Sequence, residues 1–321
     1  MTRFGYTLMC EQAGPRELVR DAARAEQAGF DFEVISDHYF PWLDSQGHAP
    51  NAWATLGAVA QVTDRVDLMT YVTCPTIRYH PTVVAQQAAT VGLLSDGRFT
   101  LGLGAGENLN EHVVGRGWQP ANVRHEMLTE AVEIITALFR GDYVNYRGTH
   151  FSVDSAKLWD VGTPAPRIGI AVSGEQSCAL AGRYADAMIA VEPDPDLGAK
   201  FDAAGGTGKP RIGQVPISWD RDRQVSIDRA HDQFRWFGGG WKVNAEIPGT
   251  AGFAAASQFV RKDDIADAIS CGPDVGEHVK AVQKFIDAGF TDVAVVQIGG
   301  DTQTGFLDWA EHELLPALRV Q

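Results

Sequence analysis

Eight short apolar runs, separated for the most part by stretches with helical spacing, limit what this chain can fold into. The runs are residues 4–9, 32–37, 66–72, 99–104, 167–172, 187–191, 211–217 and 293–298. Buried parallel strands read as unbroken apolar runs, and parallel neighbours need helical crossovers. The first helical pattern starts at Pro15, carries Leu18, Ala22, Ala25 and Ala28 on one face, and stops at Gly29. Others cover 52–62, 81–94, 124–139, 177–184, a polar stretch to about 236, 275–288 and 306–318. The chain therefore reads as α/β, a (β/α)8 TIM barrel, with a doubly wound sheet as the runner-up. Such barrels run ~250 residues or more as one domain, so a single domain over residues 1–321 accommodates the whole length.

Some stretches break the alternation. Residues 39–51, with Pro41, Gly47 and Pro50, make a loop longer than a barrel needs. Residues 143–153 are polar and aromatic and read as an inserted hairpin. Residues about 237–260, with Gly238-Gly239-Gly240, Pro248 and Gly249, read as a lid or insertion at the C-terminal face.

The formal net charge is −14, and no basic cluster could track a phosphate backbone, so nucleic acid is not expected as a partner. No apolar run approaches the ~18 residues needed to span a membrane, and the N-terminus lacks a signal-peptide core. The cysteines Cys10, Cys74, Cys178 and Cys271 are scattered without a paired motif. Reduced thiols, a cytoplasmic location and no metal site are the expectation.

In α/β folds the groups at the carboxyl ends of strands face the ligand. After the second run comes Ser36-Asp37-His38-Tyr39-Phe40-Pro41-Trp42. His38 titrates nearest neutrality and can take or give a proton; Asp37 can orient a neighbour or bond a ligand; Trp42 offers a flat face and one N–H. After the fourth run comes Gly102-Leu103-Gly104-Ala105-Gly106-Glu107-Asn108-Leu109-Asn110-Glu111. Its glycines let backbone approach a ligand, and desolvation in an apolar mouth can hold the Glu107 carboxyl protonated near neutrality, able to donate to a ring nitrogen. The end of the third run leads through Tyr71-Val72 into Thr73-Cys74-Pro75-Thr76, with Arg78 and Tyr79. After the fifth come Ser173-Gly174-Glu175, a turn into a helix N-terminus suited to a phosphate. Taken singly, each segment also reads as ordinary strand-end packing or capping.

Taken together and in order, these motifs resemble the luciferase-like flavin and deazaflavin oxidoreductases. Among these they are most similar to the coenzyme F420-dependent glucose-6-phosphate dehydrogenase group. The resemblance also rests on Phe4-Gly5-Tyr6, Thr76-Ile77-Arg78-Tyr79-His80-Pro81 and residues 148–151. It implies a (β/α)8 barrel, a small-molecule substrate, a homodimer, and coenzyme F420 as cofactor, with FMN as the alternative. It further implies His38 as the base for the substrate hydroxyl, Trp42 against the reacting centre and Glu107 as the acid at the deazaflavin edge. Asp37, Thr73, Cys74, Gly106, Asn110, Ser173, Gly174 and Glu175 would hold the cofactor, and Tyr71–Val72 would be a non-proline cis peptide against its ring. The implied reaction passes a hydride between the deazaflavin and an alcohol or sugar-type substrate. An FMN monooxygenase and an F420-dependent epimerase or reductase are the alternatives.

The sugar-phosphate enzymes place a cation just after strand six. Here that region reads Val191-Glu192-Pro193-Asp194-Pro195-Asp196-Leu197. Three acids in five positions would repel a phosphate dianion. Glucose 6-phosphate is therefore not the expected substrate; an uncharged, basic or more apolar alcohol is. Trp236, Phe237, Trp241 and Phe253 are candidates for its pocket wall, and Lys242 is a cation kept in that stretch.

Overall fold

The computed structural model describes residues 2–320. Among them the strands are β1 (Arg3–Leu8), β2 (Phe32–Ile35), β3 (Asp67–Thr70), β4 (Phe99–Leu103), β5 (Val144–Arg147) and β6 (Ser152–Ala156), followed by β7 (Arg167–Ala171), β8 (Ala187–Ala190), β9 (Arg211–Ser218), β10 (Ser270–Cys271) and β11 (Asp292–Gln297). Each of β1, β2, β3, β4, β7, β8, β9 and β11 pairs in parallel with the next. β11 returns to β1, Phe4 opposite Val293, and closes the barrel. The expected eight runs are these eight strands, with ends that differ by a residue or two.

Side chains alternate as a closed sheet requires. Phe4, Tyr6 and Leu8 of β1, with Phe99, Leu101 and Leu103 of β4, pack outward against the helices. Phe32, Val34, Met69, Ala187, Ile189, Ile212 and Ala294 fill the interior. A Cβ at Gly5 would lie 2.4 Å from the Phe32 ring, so the large interior phenyl depends on the small neighbour. A third apolar cluster, with Trp42, Leu109, Phe234, Phe253 and Ile265, lies over the carboxyl ends of the strands.

Local signals set the helix ends. Pro15 opens the helix Pro15–Ala28, and Gly29, at φ 100°, ends it in the left-handed region. The helix expected over 52–62 stops at Val59. There Thr63 donates to the Val59 carbonyl, and Glu26 accepts the N–H groups of Asp64, Arg65 and Val66. The residue 143–153 insertion is the antiparallel pair β5–β6. The 237–260 stretch is more ordered than its glycines suggest, with short helices Trp241–Asn244 and Thr250–Ala256. Helices Pro195–Phe201 and Lys262–Ala268 and the two-residue β10 were not anticipated.

Candidate active site

β2 delivers Ser36, Asp37 and His38 to the barrel mouth, where His38 is held between two carboxylates. Its Nδ1 lies 3.0 Å from the Phe40 carbonyl and 3.3 Å from Glu11 Oε1. A carbonyl only accepts, so Nδ1 carries a proton and Nε2 is the nitrogen that exchanges one. Nε2 faces Glu107 Oε1 at 3.2 Å. Glu11 is itself fixed, accepting from Ser36 Oγ and from Trp42 Nε1 at 3.1 Å. Burial alone would push the imidazole down, but Glu11 and Glu107 outweigh it and raise its pKa to about 9. Burial raises the Glu107 carboxyl, but His38, Asn110 and Arg78 outweigh it and hold it below the ordinary value.

This reverses the expectation of a protonated Glu107 beside a neutral His38. The pair sits as imidazolium and carboxylate at neutral pH. The physical reason is direct contact: a hydrogen-bonded countercharge at 3.2 Å overrides desolvation.

Beside this group lies a second one. Arg78 Nη2 donates to Asp37 Oδ1 (3.1 Å) and to the Asp37 carbonyl (2.8 Å), and the Arg78 N–H donates to Glu111 Oε2 (2.7 Å). Asp37 Oδ2 accepts from Thr73 Oγ1 at 2.8 Å. Asp37 thus spends both oxygens within the protein and has no exposed side-chain surface. Its reach toward a ligand runs through Thr73. Arg78 Nε and Glu111 Oε1 are buried 3.5 Å apart and lack hydrogen-bond partners. Burial pushes the Glu111 carboxyl up to about 7. Asn110 is likewise occupied: its Oδ1 accepts from the Tyr39 and Phe40 N–H groups, and its Nδ2 donates to Glu107 at 2.7 Å.

The remaining expected residues lie on the loops that follow β3, β4 and β7. The Tyr71–Val72 peptide is cis, and the Tyr71 hydroxyl reaches across to the Ala190 carbonyl at 2.8 Å. A Cβ at Gly104 would lie 2.6 Å from Val72 Cγ2. Gly106, at φ 84°, would bring a Cβ within 2.5 Å of Cys74 Sγ, so the Gly106 turn lies directly on Cys74. Cys74 is buried and bonded to Thr76, and burial pushes its thiol well up. Tyr71, Val72, Gly106, Ala171, Gln214 and Pro216 are partly exposed, and Val191 is exposed. Ser173, Gly174 and Glu175 form the turn from β7 into the helix Glu175–Tyr184. Ser177 Oγ accepts the N–H groups of Ser173 and Gly174. Gly174 has extended backbone, and a Cβ there would meet nothing within 4 Å.

Trp42 is less exposed than a substrate-facing indole would be. His38 lies at 4.9 Å, Trp236 stacks in parallel at 4.1 Å, and Phe253 meets its edge at 5.1 Å. Phe237 packs edge-on to Trp236, whereas Trp241 is exposed on its short helix. The inserted stretch therefore reaches the catalytic end of the barrel through Trp236 and Phe253.

The structure brings His38, Glu107 and Trp42 together. It gathers Asp37, Thr73, Cys74, Gly106 and Asn110 immediately beside them, and sets Tyr71, Val72 and Ser173–Gly174–Glu175 around the same mouth. Sequence reasoning missed Glu11 and gave no role to Arg78 and Glu111. The available signal for Glu11 was an isolated acid two residues past the apolar Leu8-Met9 end of the first run.

The luciferase-like monooxygenase family matches residues 1–292. The chain is 35% identical to an F420-dependent glucose-6-phosphate dehydrogenase of Microbacterium testaceum, over 99% of this chain and 97% of that protein. It is 36% identical to an F420-dependent hydroxymycolic acid dehydrogenase of Mycobacterium tuberculosis, over 98% and 88%. Its fold is similar to an F420-dependent secondary alcohol dehydrogenase solved with an F420–acetone adduct, with a TM-score of 0.90, 27% identity and 99% of both chains covered.

Proposed function

The chain belongs to the luciferase-like family, and from that premise we propose that it is a coenzyme F420-dependent oxidoreductase interconverting an alcohol and its carbonyl compound. The observation that carries the reading is His38, locked through Nδ1 and presenting Nε2 to Glu107 at the barrel mouth.

The residues present fit the cofactor. Tyr71 and Val72, joined by the cis peptide, are partly exposed, and a planar ring would lie against them. Gly106 is partly exposed beside the buried Thr73 and Cys74, and the open space at Gly174 offers room for the tail beside Ser173 and Glu175. Asp37 and Asn110 support this shell from behind. When bound, the deazaflavin supplies a carbon centre that exchanges hydride in two-electron steps.

The protein handles the proton. Oxidising an alcohol removes its O–H proton, and unprotonated His38 Nε2 is the acceptor. Reducing a carbonyl needs the reverse, and the imidazolium supplies the proton. With a pKa of about 9, His38 is stocked for the reductive direction at neutral pH, and oxidation improves as pH rises. Glu107 pairs with the imidazolium and stabilises its charge; Glu11 does so from the other side.

The substrate end argues against a phosphate ester. Glu192 and Asp196 are exposed beyond β8, and Asp194 caps the Asp196 N–H. Trp42, Trp236 and Phe253 form an aromatic cluster beside His38, of which Trp236 is partly exposed. An uncharged, basic or apolar alcohol suits this surface. The same reading includes a cytoplasmic homodimer, supported by four buried, unpaired cysteines for the compartment and by family resemblance for the assembly.

Purified protein is titrated with F420 and with FMN, then assayed for F420 reduction over neutral alcohols, amino alcohols, sugars and glucose 6-phosphate. F420 binding and turnover of neutral or basic alcohols are expected, with glucose 6-phosphate slow. Glucose 6-phosphate outpacing the neutral alcohols would overturn the substrate reading. Purification as a yellow FMN protein would overturn the cofactor reading. Solvent isotope entering substrate without net cofactor reduction would point to epimerisation.

A further inference from the structure

The inserted stretch is attached to both sides of the site, and its second attachment has no part in the reading above. Residues 241–248 lie between Gly240 (φ 72°) and Gly249 (φ 77°). A Cβ at either glycine would meet nothing within 4 Å, so these positions serve backbone conformation rather than packing. One end of the stretch bears Phe253 against Trp42. The other end crosses to the β4 loop. There the Ala245 carbonyl accepts the Asn108 N–H at 2.9 Å, and the Glu246 carbonyl accepts from Asn108 Nδ2 at 3.0 Å. Asn108 is the residue directly after Glu107.

The side chain of Glu246 fastens that contact. Its Oε2 accepts from Trp118 Nε1 at 2.8 Å, and its Oε1 accepts from Arg124 Nη2 at 3.0 Å. The receiving side is rigid. The Arg124 guanidinium stacks on Trp118 at 4.1 Å, donates to the Gln119 carbonyl at 2.6 Å, and is almost fully buried. Glu246 is about half exposed, at 53%. One partner is therefore fixed and the other can leave into water. Such a pair holds a segment without welding it.

We propose that residues 240–249 are a flap latched over the barrel mouth by Glu246, and that the latch positions Glu107 by clamping Asn108. The Asn108 clamp fixes the start of the turn on which Glu107 sits. Releasing it lets Glu107 drift from His38 Nε2, and a small displacement of an aligned group costs rate. Glu246, Trp118 and Arg124 act through Glu107 and touch no reacting atom.

This inference rests on the oxidoreductase reading only for the role of Glu107. Its first test is made on protein without cofactor or substrate: amide hydrogen exchange at Asn108 and across residues 241–246, for wild type, Glu246→Ala and Glu246→Gln. Glu246→Ala is expected to speed exchange at both places by about tenfold, and Glu246→Gln, which keeps an acceptor for Trp118, to restore most of the protection. In turnover, Glu246→Ala is expected to lower kcat about tenfold with KM within about twofold. Trp118→Phe, which removes one donor and keeps the ring under Arg124, should move both readouts the same way by about threefold, and it carries the test if Glu246→Ala fails to fold. Faster exchange at 241–246 with Asn108 still protected overturns the positioning role. So does a rise in KM alone, which would make the stretch a pocket wall. Unchanged exchange overturns the latch. Wild-type protein that turns over no alcohol fails the functional reading, while the exchange result still judges the latch.

Discussion

Two buried ionic clusters lie side by side in this barrel and share their chain segments. Glu11, His38 and Glu107 form one; Asp37, Arg78 and Glu111 form the other. Each sets two carboxylates around one base. Residues 37 and 38 are adjacent, and 107 and 111 lie one helical turn apart. The difference is the central base. A guanidinium keeps its proton at any working pH, and its neighbours push it further up. An imidazole between the same kinds of neighbours lands at about 9, within reach of solution conditions. The central base of one cluster can therefore move a proton, and the central base of the other cannot. The static cluster carries the dynamic one: Arg78 fixes Asp37, the residue before His38, and Glu111, on the turn that presents Glu107.

The comparison breaks most visibly at the central bases. His38→Ala should lower turnover about 10²–10⁴-fold, the usual worth of a positioned acid–base group, and also cost stability, since Glu11 and Glu107 lose their shared countercharge. Steady-state kinetics beside a thermal melt separates the two effects. A loss below tenfold would mean that Nε2 does not carry the proton.

Arg78→Met should act on stability instead. Removing one partner of a buried ionic group typically costs about 3–5 kcal/mol, because the remaining carboxylates stay buried without a countercharge. Denaturant unfolding of the cofactor-free protein measures it. Arg78→Lys keeps the charge but not the forked donors, and should recover part of the loss. An unchanged midpoint for Arg78→Met would show that the static cluster supports nothing.

The same contrast explains what was legible in the sequence. The barrel could be read because eight strands buried on both faces must be apolar throughout, and each left a run such as Val293-Ala294-Val295-Val296. His38, Glu107 and Trp42 could be read because they stand in the segments that follow strand ends. Glu11 could not, because its meaning depends on Ser36, Trp42 and His38 converging on it from a different strand. Arg78 and Glu111 stand in their motifs without a role, because only the fold buries them together. The protonation states were misread for the same reason: desolvation can be guessed from apolar neighbours, whereas a countercharge at 3.2 Å is a fact of tertiary structure. The insertion's glycines suggested irregularity, but two of them, Gly240 and Gly249, bracket an ordered segment.

The smallest effect separates the clusters most cleanly. Burial pushes His38 down; Glu11, the first among the opposing influences, together with Glu107 pushes it up to about 9 from an ordinary 6.5. Because the folded value lies above the unfolded one, His38 contributes stability that is complete below about pH 6.5 and is lost as pH rises toward about 9. Alcohol oxidation needs the unprotonated ring, so its rate should climb through the same window, and carbonyl reduction should fall through it. Glu11→Gln removes one neighbouring charge and keeps an acceptor for Trp42. It should move both inflections acidward by about one pH unit, a change worth about 1.4 kcal/mol. Asp37→Asn removes a charge of the same sign from the adjacent residue. That charge faces Arg78, which does not titrate, so the inflections should stay in place while stability falls. Imidazole NMR titration of His38 in the two variants checks this without turnover. Equal shifts in both would mean that the two clusters behave as one electrostatic unit, and the division between a proton-moving and a shape-holding triad would have to be abandoned.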